Sequence, residues 1–359
     1  MISYEHTKRG QGGPPSFNSL GVIKMNKKCR ILVVGSLVMD TISCTEVFPK
    51  EGQTVLGYSY STAPGGKGAN QAMEAALLGA DVTMVGKVGK DFFGDRMLES
   101  LQSAGVDTTH IGRAAEGISS SIGNVMITTR NGQAQNNRII VIPGANMQIT
   151  PQDVEFLKDT IDQYDMVMLQ LEIPMEINQL VARYAYDKKV PVMLNPAPIA
   201  PIPQDLMQHI TYLSPNETEA AQLLECFIRN EGEDVTKEAE EGICAAMKEK
   251  GLEKLLMTLG DAGAMVIQGE EILRKPGVKN IHAVDPTAAG DSFVGAFCTA
   301  KCVGLDDVRA MEFANLIAAR TVSFMGAQPS LSTLDQAIHF HAMAGRDTGI
   351  LEEVKEKMS

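Results

Sequence analysis

The sequence predicts an α/β fold in which a doubly wound, mostly parallel sheet is flanked by helices and carries a small β-sheet lid. Continuous apolar runs are typical of strands covered on both faces, and they recur at residues 29–37, 82–88, 166–171, 191–195 and 255–260. Helical patterns lie between them, for example at residues 69–80, 91–105 and 151–161. This alternation of strand and helix indicates a parallel sheet.

Two stretches interrupt the alternation and predict the lid. Residues 41–62 alternate between apolar and polar side chains, as exposed strands do. Residues 120–142 predict a hairpin with Asn131 and Gly132 at its turn. Because no helical pattern covers these strands, we expect a lid formed by about residues 41–62 and 118–142. After residue 290 the patterns are helical and end in a polar helix at 346–359.

The first 28 residues predict a disordered extension before one domain that spans residues 29–345. They are polar, contain Gly and Pro, and lack the apolar core of a secretory signal.

The net charge of −12 and the pI near 5.1 disfavour nucleic acid as a partner. No apolar run approaches the ~20 residues of a membrane span. The six cysteines form no CxxC pair, so free thiols in a reducing cytoplasm are expected.

The stretch HAVDPTAAGDSFVGAF, residues 282–297, combines small residues and an acid where a helix begins. The first N–H groups of a helix have no intrahelical partner, and the helix dipole adds positive charge there. Ala288, Ala289 and Gly290 therefore predict a cradle for a phosphate. Asp291 would repel that anion, so it is better suited to accept a proton from an attacking hydroxyl. A helix N-terminal acid with packing alanines remains an alternative for this stretch alone.

A second glycine-rich loop, APGGKGANQAMEAALLGA at residues 63–80, also leads into a helix. Lys67 lies among Gly65, Gly66 and Gly68, where backbone can approach a ligand, and Asn70 faces the same loop. The P-loop pattern GxxxxGK[ST] is absent. A GxGxxG after the first strand is also absent, which disfavours a dinucleotide oxidoreductase. Taken alone, Lys67 is also compatible with an ordinary solvated loop lysine.

Together with these two motifs, several shorter phrases follow one another in the order of a known family. They are GSLVMD, VGKVGKDFFGD, PGAN, LQLEIP, NPAP, SPNETEA, TLGDAGA and GAQPS. From about residue 29 to 335 the chain resembles the ribokinase family of sugar and nucleoside kinases. The resemblance implies ATP-dependent phosphorylation of a sugar hydroxyl, with D-ribose converted to D-ribose 5-phosphate as the expected reaction.

The resemblance also implies roles for individual residues. Asp291 matches the catalytic base, and Ala288, Ala289 and Gly290 match the anion hole. The sugar-contacting positions correspond to Asp40, Gly66, Lys67, Asn70 and Glu172. The ATP site corresponds to Asn216, Thr258, Leu259, Gly260, Asp261, Ala262, Gly263, Gly290 and Asn315. Magnesium is expected to be held indirectly by Asn216 and Glu219, and potassium by Asp285, Thr287, Thr321, Phe324, Gly326 and Ser330. A homodimer that forms through the lid is expected as well.

Two departures from the family pattern bear on the substrate. The family's ribose kinases usually carry Asn two residues before the aspartate that Asp40 matches, but this chain has Val38, which cannot hydrogen-bond a hydroxyl. Pro286 replaces a common Thr and favours an extended Asp285, which suits the entry to the cradle. Val38 leaves open a kinase of another sugar, a sugar acid or a nucleoside. A non-catalytic sugar-binding regulator is a further alternative, against which the intact Asp291 argues.

Overall fold

The computed structural model describes residues 29–130, 133–230 and 233–358. The predicted disordered extension at residues 1–28 lies outside the described residues, as do the predicted turn at Asn131 and Gly132 and the last residue of the C-terminal helix. The described chain forms one large sheet between two layers of helices, and a smaller sheet beside it. The predicted fold class is therefore confirmed.

The large sheet is parallel except at one edge. Its strands are β1 Arg30–Val34, β4 Asp81–Val88, β5 Asp107–Arg113, β8 Met166–Gln170, β9 Val192–Asn195, β10 Tyr212–Leu213, β11 Lys254–Thr258, β12 Gly263–Gln268 and β13 Glu271–Pro276. Their order across the sheet is β13-β12-β11-β10-β9-β8-β1-β4-β5. Strand β12 runs antiparallel to both of its neighbours, whereas all other pairs are parallel. The antiparallel strands β12 and β13, the opposite edge strand β5 and the two-residue strand β10 were not predicted from the sequence.

The helices bury both faces of this sheet, as the continuous apolar runs predict. They are α1 Lys67–Leu77, α2 Phe92–Ser103, α3 Pro151–Val154, α4 Leu157–Thr160, α5 Met175–Asp187, α6 Gln204–His209, α7 Glu217–Leu224, α8 Lys237–Lys250, α9 Ala289–Cys302, α10 Asp307–Thr321, α11 Leu334–Met343 and α12 Gly349–Met358. Along β1, Ile31 and Val33 pack on one side while Leu32 and Val34 pack on the other. Successive side chains of a strand point to opposite faces, so this central strand joins two separate apolar cores.

Three predicted boundaries differ from the structure. The predicted helix at residues 151–161 consists of two short helices, α3 and α4, followed by a 3₁₀ turn. The C-terminal helix α12 begins at Gly349 and not at residue 346. The lid begins at Val38, before the predicted residue 41, because its first strand, β2 Val38–Thr45, follows β1 after only three residues. Within the described residues, no helix is both long and apolar enough to cross a membrane.

The lid is a four-stranded sheet, and its position beside the large sheet is fixed by buried polar contacts. Its strands are β2 Val38–Thr45, β3 Gly57–Gly65, β6 Ser121–Arg130 and β7 Gln133–Ile142, in the order β3-β2-β6-β7. Asp91 caps α2 and also accepts hydrogen bonds at 2.7 Å from the backbone N–H and hydroxyl of Ser120. Asn146 pairs with both the N–H and the C=O of Leu37, at 3.1 and 3.0 Å. These contacts hold the base of the lid against the end of β1.

Candidate active site

A polar cavity of about 220 Å³ opens at the carboxyl ends of the parallel strands, beside the N-termini of α1 and α9. This edge of an open α/β sheet is where ligands bind. The cavity is lined by Lys67, Asn195, Ala197, Ser214, Asn216, Glu219, Thr258, Pro286, Ala288, Gly290, Asp291 and Val294. Both glycine-rich motifs therefore reach one site although they lie far apart in the sequence.

The start of α9 contains the residues that the sequence predicts as an anion cradle, Ala288, Ala289 and Gly290, which are named the cradle here. Ala288 precedes the helix with φ 61° and ψ 7°, a left-handed conformation that turns the chain into the first helical turn. The N–H of Ala289 donates to the carbonyl of Pro286 at 3.2 Å. A helix cannot supply partners for its first N–H groups. Since a Cβ at Gly290 would meet nothing within 4 Å, an anion can approach the backbone there.

Asp291 is held in place by two amide side chains from α1. Its Oδ2 accepts a hydrogen bond at 2.8 Å from Asn70 Nδ2, and its Oδ1 accepts one at 3.1 Å from Gln71 Nε2. Gln71 is in turn fixed by Gln170, whose Nε2 donates to Gln71 Oε1 at 2.7 Å. Gln71 and Gln170 are fully buried. The carboxylate therefore has one orientation, beside the cradle and open to the cavity.

Sequence reasoning identified Asn70 but missed Gln71, Gln170 and Asn195. Gln71 also donates to Asn195 Oδ1 at 3.3 Å, and the amide of Asn195 donates to the carbonyl of Ser214 at 2.7 Å. Gln71 stands next to Asn70 in the APGGKGANQA motif, so its polar side chain there was a usable signal. Gln170 and Asn195 end two buried strands, and their contact with α1 depends on the fold.

Lys67 is a charged residue at the N-terminus of α1, and several carboxylates lie near it. Burial lowers the pKa of Lys67, but the negative charges of Asp291, Glu172 and Glu219 outweigh burial and hold the pKa above its usual value. The ammonium group therefore stays protonated near neutral pH. A fixed positive charge in this position suits an anionic group that enters the cavity.

The predicted sugar-contacting residues Asp40 and Glu172 form a second acidic group next to Lys67. Burial and, as the smaller cause, the nearby charge of Glu172 together raise the pKa of Asp40 to about 6. Glu172 Oε2 accepts hydrogen bonds from the Lys67 N–H at 3.1 Å and from the Ser36 hydroxyl. Two neighbouring carboxylates can accept hydrogen bonds from adjacent hydroxyls of a polyol.

Glycines on both neighbouring strands leave space around Asp40 and Val38. Asp40 pairs with Gly123 of β6, and Val38 pairs with Gly65 of β3. A Cβ at Gly123 would lie 2.3 Å from Asp40 Oδ1, and one at Gly65 would lie 3.3 Å from Asp40 Oδ2. Val38 and Asp40 are two residues apart on β2 and share one face of the lid. This face presents a carboxylate beside an apolar side chain.

Asn216 and Glu219 close a capping box at the start of α7. Asn216 Oδ1 accepts from the Glu219 N–H at 2.8 Å, and Glu219 Oε2 accepts from the Asn216 N–H at 2.9 Å. Both residues line the cavity. Among the described residues, no group of three or more His, Cys, Asp or Glu side chains could hold a metal ion. A magnesium ion held by one or two protein groups together with phosphate oxygens does not need such a cluster.

Most of the predicted ATP-binding residues lie around the end of β11, whereas Gly290 lies in α9 and Asn315 in α10. Thr258 forms a bridge with Asn216 and lines the cavity. Gly260, Asp261 and Ala262 form a 3₁₀ turn, and Gly263 follows with φ 103°. Arg229 donates to the carbonyl of Leu259 at 2.8 Å. Asn315 does not line the cavity; its amide donates to the carbonyls of Lys275 and Pro276 at 3.2 and 3.1 Å and so fixes the end of β13.

The loop before α9 is tied to the loop after α10 through Asp285. Asp285 Oδ1 accepts from the N–H and hydroxyl of Thr287 at 2.9 and 2.6 Å, and its Oδ2 accepts from the Gly326 N–H at 2.8 Å. Burial raises the pKa of Asp285, but these hydrogen bonds outweigh burial and leave the pKa below its usual value. Among the other predicted potassium ligands, Thr321 donates its hydroxyl to Ile317, and the carbonyl of Ser330 accepts from Arg320.

The chain is similar in sequence and in structure to known carbohydrate kinases. The sequence profile described as "pfkB family carbohydrate kinase" matches residues 28–334. The ribokinase of Bacillus subtilis (strain 168) is 38% identical over 306 residues, which cover 85% of this chain and 97% of that protein. The deoxyribokinase of Salmonella typhi is 30% identical, with 85% of this chain and 96% of that protein covered. The structure of Arabidopsis thaliana ribokinase complexed with ribose and ATP superposes with a TM-score of 0.78 at 32% identity, covering 87% of this chain and 98% of that one.

Gly123→Ala should weaken use of the acceptor while the fold is retained. The new methyl group would displace the Asp40 carboxylate, and overpacking of this kind costs about 1–3 kcal/mol, or roughly 5- to 150-fold in kcat/KM. Steady-state kinetics with the best acceptor would measure this change. Gly242→Ala in α8, where a Cβ meets nothing within 4 Å, is the matched control and should keep wild-type kinetics. Unchanged kcat/KM in Gly123→Ala would show that Asp40 does not contact the acceptor.

Proposed function

Because the chain belongs to the pfkB family of carbohydrate kinases, and is therefore an ATP-dependent sugar kinase, we propose that it converts D-ribose to D-ribose 5-phosphate. The observation that carries this proposal is the Asp291 carboxylate, which two amides orient beside the N-terminus of α9. The 38% identity with the ribokinase of B. subtilis, and the similarity to a ribokinase complexed with ribose and ATP, support ribose as the acceptor.

In the proposed reaction Asp291 takes the proton from the acceptor hydroxyl. The hydroxyl oxygen forms a bond to the γ-phosphorus, the bond to the β-phosphate oxygen breaks, and ADP leaves. Phosphoryl transfer needs little covalent chemistry from the protein, so positioning and charge stabilisation supply most of the catalysis. The N–H groups of the first turn of α9 would stabilise the transferred phosphoryl group, and the charge of Lys67 would add to their effect.

The acceptor is proposed to lie against the lid face, between β2 and the start of α1. Asp40 and Glu172 accept hydrogen bonds from its hydroxyls, and Gly66 and Lys67 border it at the helix start. Asn70 Oδ1 is buried without a hydrogen-bond partner. Since a buried acceptor atom without a partner costs free energy, a hydroxyl of the sugar is well suited to satisfy it. The same Asn70 side chain would then contact both the acceptor and the base.

ATP is proposed to bind along the end of β11, with its phosphates directed to the cradle. The residues assigned to it are Asn216, Thr258, Leu259, Gly260, Asp261, Ala262, Gly263, Gly290 and, through the placement of β13, Asn315. The donor set of Asn216 and Glu219 fits magnesium held through water, because their side chains are also engaged in the capping box. Bound magnesium would neutralise charge on the phosphate oxygens.

A monovalent cation is proposed beside the cradle. The Asp285 carboxylate gathers Thr287 and Gly326, and the ring is completed by Thr321, Phe324 and Ser330. Most of these would offer carbonyl oxygens, which suits a large, weakly hydrated cation such as potassium. Bound potassium would supply a fixed positive charge behind the cradle. Asp285 itself orders residues 285–287, which lead directly into Ala288.

We further propose a homodimer that forms through the lid. Four consecutive residues of the edge strand β7, Ile139 to Ile142, are 46–64% exposed, and Tyr58 and Tyr60 of the opposite edge are 58% and 66% exposed. An exposed apolar sheet edge is a pairing surface that proteins normally cover. Sedimentation at micromolar concentration would show a dimer, and a monomer would contradict this proposal.

A cytoplasmic location stays a prediction.

A second candidate acceptor is deoxyribose, and Val38 is the observation that favours it. Val38 is buried beside Asp40, where it presents methyl groups to the acceptor side of the lid. An apolar side chain forms no hydrogen bond with a hydroxyl of the acceptor. An acceptor that lacks this hydroxyl therefore loses no binding free energy at Val38. The 30% identity with the deoxyribokinase of S. typhi supports this candidate. The reaction and the base are the same for both acceptors.

A panel of acceptors in a coupled ADP assay would test these two candidates, and Val38→Asn would sharpen the result. The panel contains ribose, 2-deoxyribose, other pentoses and hexoses, a sugar acid and a nucleoside. A hydrogen bond to a hydroxyl contributes about 0.5–1.5 kcal/mol, so Val38→Asn should raise kcat/KM for ribose relative to 2-deoxyribose roughly two- to tenfold. Val47→Asn, exposed in the lid, is the control. Turnover of a nucleoside or a hexose alone would exclude both candidates.

Asp291→Asn should remove most turnover and leave the fold and ATP binding nearly intact. Loss of a general base typically costs roughly 10²–10⁴-fold in rate. The measurements are kcat with the best acceptor, melting temperature and ATP affinity. Asp335→Asn replaces an acid in the first turn of another helix, α11, and should keep wild-type turnover. Half of the wild-type rate in Asp291→Asn would rule out the role assigned to this carboxylate.

Potassium should raise activity several-fold over sodium or lithium at equal ionic strength, because the smaller ions lose more hydration energy than loosely arranged carbonyls return. A cation that orders residues 285–287 should also raise the melting temperature of the nucleotide-free protein. Asp285→Ala should abolish both effects. Equal rates and equal melting temperatures in the three chloride salts, with magnesium held constant, would show that the proposed cation site does not exist.

A further inference from the structure

Arg229 is a buried cation that the proposed reaction does not use. It follows α7 in the chain, and 6% of its side chain is exposed. It does not line the cavity. A buried charge costs free energy unless hydrogen bonds compensate for its lost hydration, so the partners of this guanidinium indicate what it holds in place.

The guanidinium of Arg229 holds three separate segments of the chain through its three nitrogens. Its Nε donates to Glu217 Oε2 at 2.5 Å, and its Nη1 donates to the carbonyl of Glu233 at 2.8 Å. Its Nη2 donates to the carbonyl of Leu259 at 2.8 Å. The planar guanidinium presents its donors in fixed directions, so these contacts set distances between the segments that a flexible lysine would not set.

Two of these segments flank the proposed position of ATP. Glu217 is the first residue of α7 and directly follows Asn216, which lines the cavity. Leu259 directly follows Thr258, which also lines the cavity. Leu259 is also the first residue of the segment 259–263, named here the 259–263 turn. The guanidinium therefore joins the start of α7 to the 259–263 turn without entering the cavity.

The contact with Leu259 fixes the orientation of one peptide group in the 259–263 turn. The Leu259 carbonyl accepts from the Ala262 N–H at 3.1 Å as well as from Arg229. In a planar trans peptide the C=O and the N–H point in opposite directions, so the Gly260 N–H points away from the guanidinium. Gly260 has φ 59°, and because glycine is conformationally permissive, this peptide can reorient once the guanidinium is removed.

We propose that Arg229 is a positioning residue for the nucleotide, which fixes the Leu259–Gly260 peptide relative to the start of α7 and so keeps the ATP site in its binding conformation. The inference rests on the proposed ATP site. The guanidinium acts through the 259–263 turn and not by contact with ATP. Its loss should therefore weaken nucleotide binding and leave the acceptor site, between the lid and α1, unchanged.

The first variant is Arg229→Met, which keeps an apolar stem and removes all of the donors. A hydrogen bond from a charged donor contributes enough to change an equilibrium constant about tenfold, so we expect the KM for ATP and the Kd for ADP to rise by about that factor. The acceptor KM should stay at its wild-type value. Steady-state kinetics and calorimetry with ADP measure these constants. A folded variant with wild-type ADP affinity would overturn the proposal.

A double variant keeps the test decisive if Arg229→Met is unstable. Arg229→Met leaves the Glu217 carboxylate without its partner, whereas Glu217→Gln/Arg229→Met leaves no unpaired charge. The double variant should regain melting temperature and keep the weakened ADP binding. Glu217→Gln alone retains the Leu259 contact and should bind ADP as the wild type does. Equal loss of ADP affinity in Glu217→Gln and Arg229→Met would show that the ion pair at α7, and not the peptide contact, holds the site, and the proposal would be wrong.

A conservative variant and a matched control separate positioning from simple stability. Arg229→Lys keeps the charge without the fixed donor directions and should restore part of the ADP affinity lost in Arg229→Met. Arg113→Met is the control, because Arg113 also donates to a carboxylate, that of Asp95, and to a backbone carbonyl, that of Gly89. Arg113 lies on β5, the edge strand opposite β13, so its loss should leave ADP affinity unchanged. Equal weakening in the control would attribute the effect to lost stability and overturn the proposal.

Amide hydrogen exchange of the nucleotide-free protein provides a test that needs no turnover. In the double variant the amides of the 259–263 turn should exchange faster, whereas those of β1 and β8 should not change. Unchanged exchange in the turn would overturn the proposal even if ADP binding weakens. Failure of the proposed function would appear in the wild type itself, as no turnover or no ADP binding. Failure of the present inference would appear as equal ADP affinity in the wild type and the variants.

Discussion

The active site depends on one constraint, the fixed orientation of the buried Asp291 carboxylate. Two amide donors hold its two oxygens, and one of those donors is fixed in turn by Gln170 at the end of β8. The carboxylate therefore cannot rotate away from the cavity, and its position is set by the sheet through α1. Because the same α9 turn carries the cradle N–H groups, the Asp291 carboxylate and the cradle move as one unit. Preorganisation of this kind removes the reorganisation that a free carboxylate would need in the transition state.

The sequence predicted most of the large sheet but not its antiparallel edge. The parallel strands are covered on both faces, and this burial produces the continuous apolar runs that identify them. Strand β13 lies at the edge with a mixed polar pattern, and β10 has only two residues, so neither leaves a clear periodicity. The helix predicted at residues 151–161 breaks into α3 and α4. The amphipathic pattern there indicates a buried face, and it does not by itself show whether the backbone remains continuous.

The site residues that lie in short sequence motifs could be predicted, whereas those placed by contacts between distant segments could not. Lys67, Asn70 and Asp291 lie in short motifs with helix-start chemistry, and the structure brings them to one cavity. Gln71 belonged to the same motif and could have been found. Gly123 could not, because its place beside Asp40 depends on the register of β6 against β2. A glycine in a strand carries no such information in one sequence.

The charges around the cavity are the physical reason for proposing cations at this site. The carboxylates of Asp291, Glu172 and Glu219 act on the ammonium group of Lys67, and each of them would also repel an incoming triphosphate. The acidic groups cannot be removed, since they would bind the hydroxyls and take the proton. Lys67 and the cradle N–H groups supply part of the balance, and magnesium at Asn216 and Glu219 would supply more. Potassium at Asp285 would add positive charge on the side of the cradle that faces away from the acceptor. An acidic acceptor site can thus work beside a phosphate site, provided that positive charge lies on the nucleotide side of Asp291.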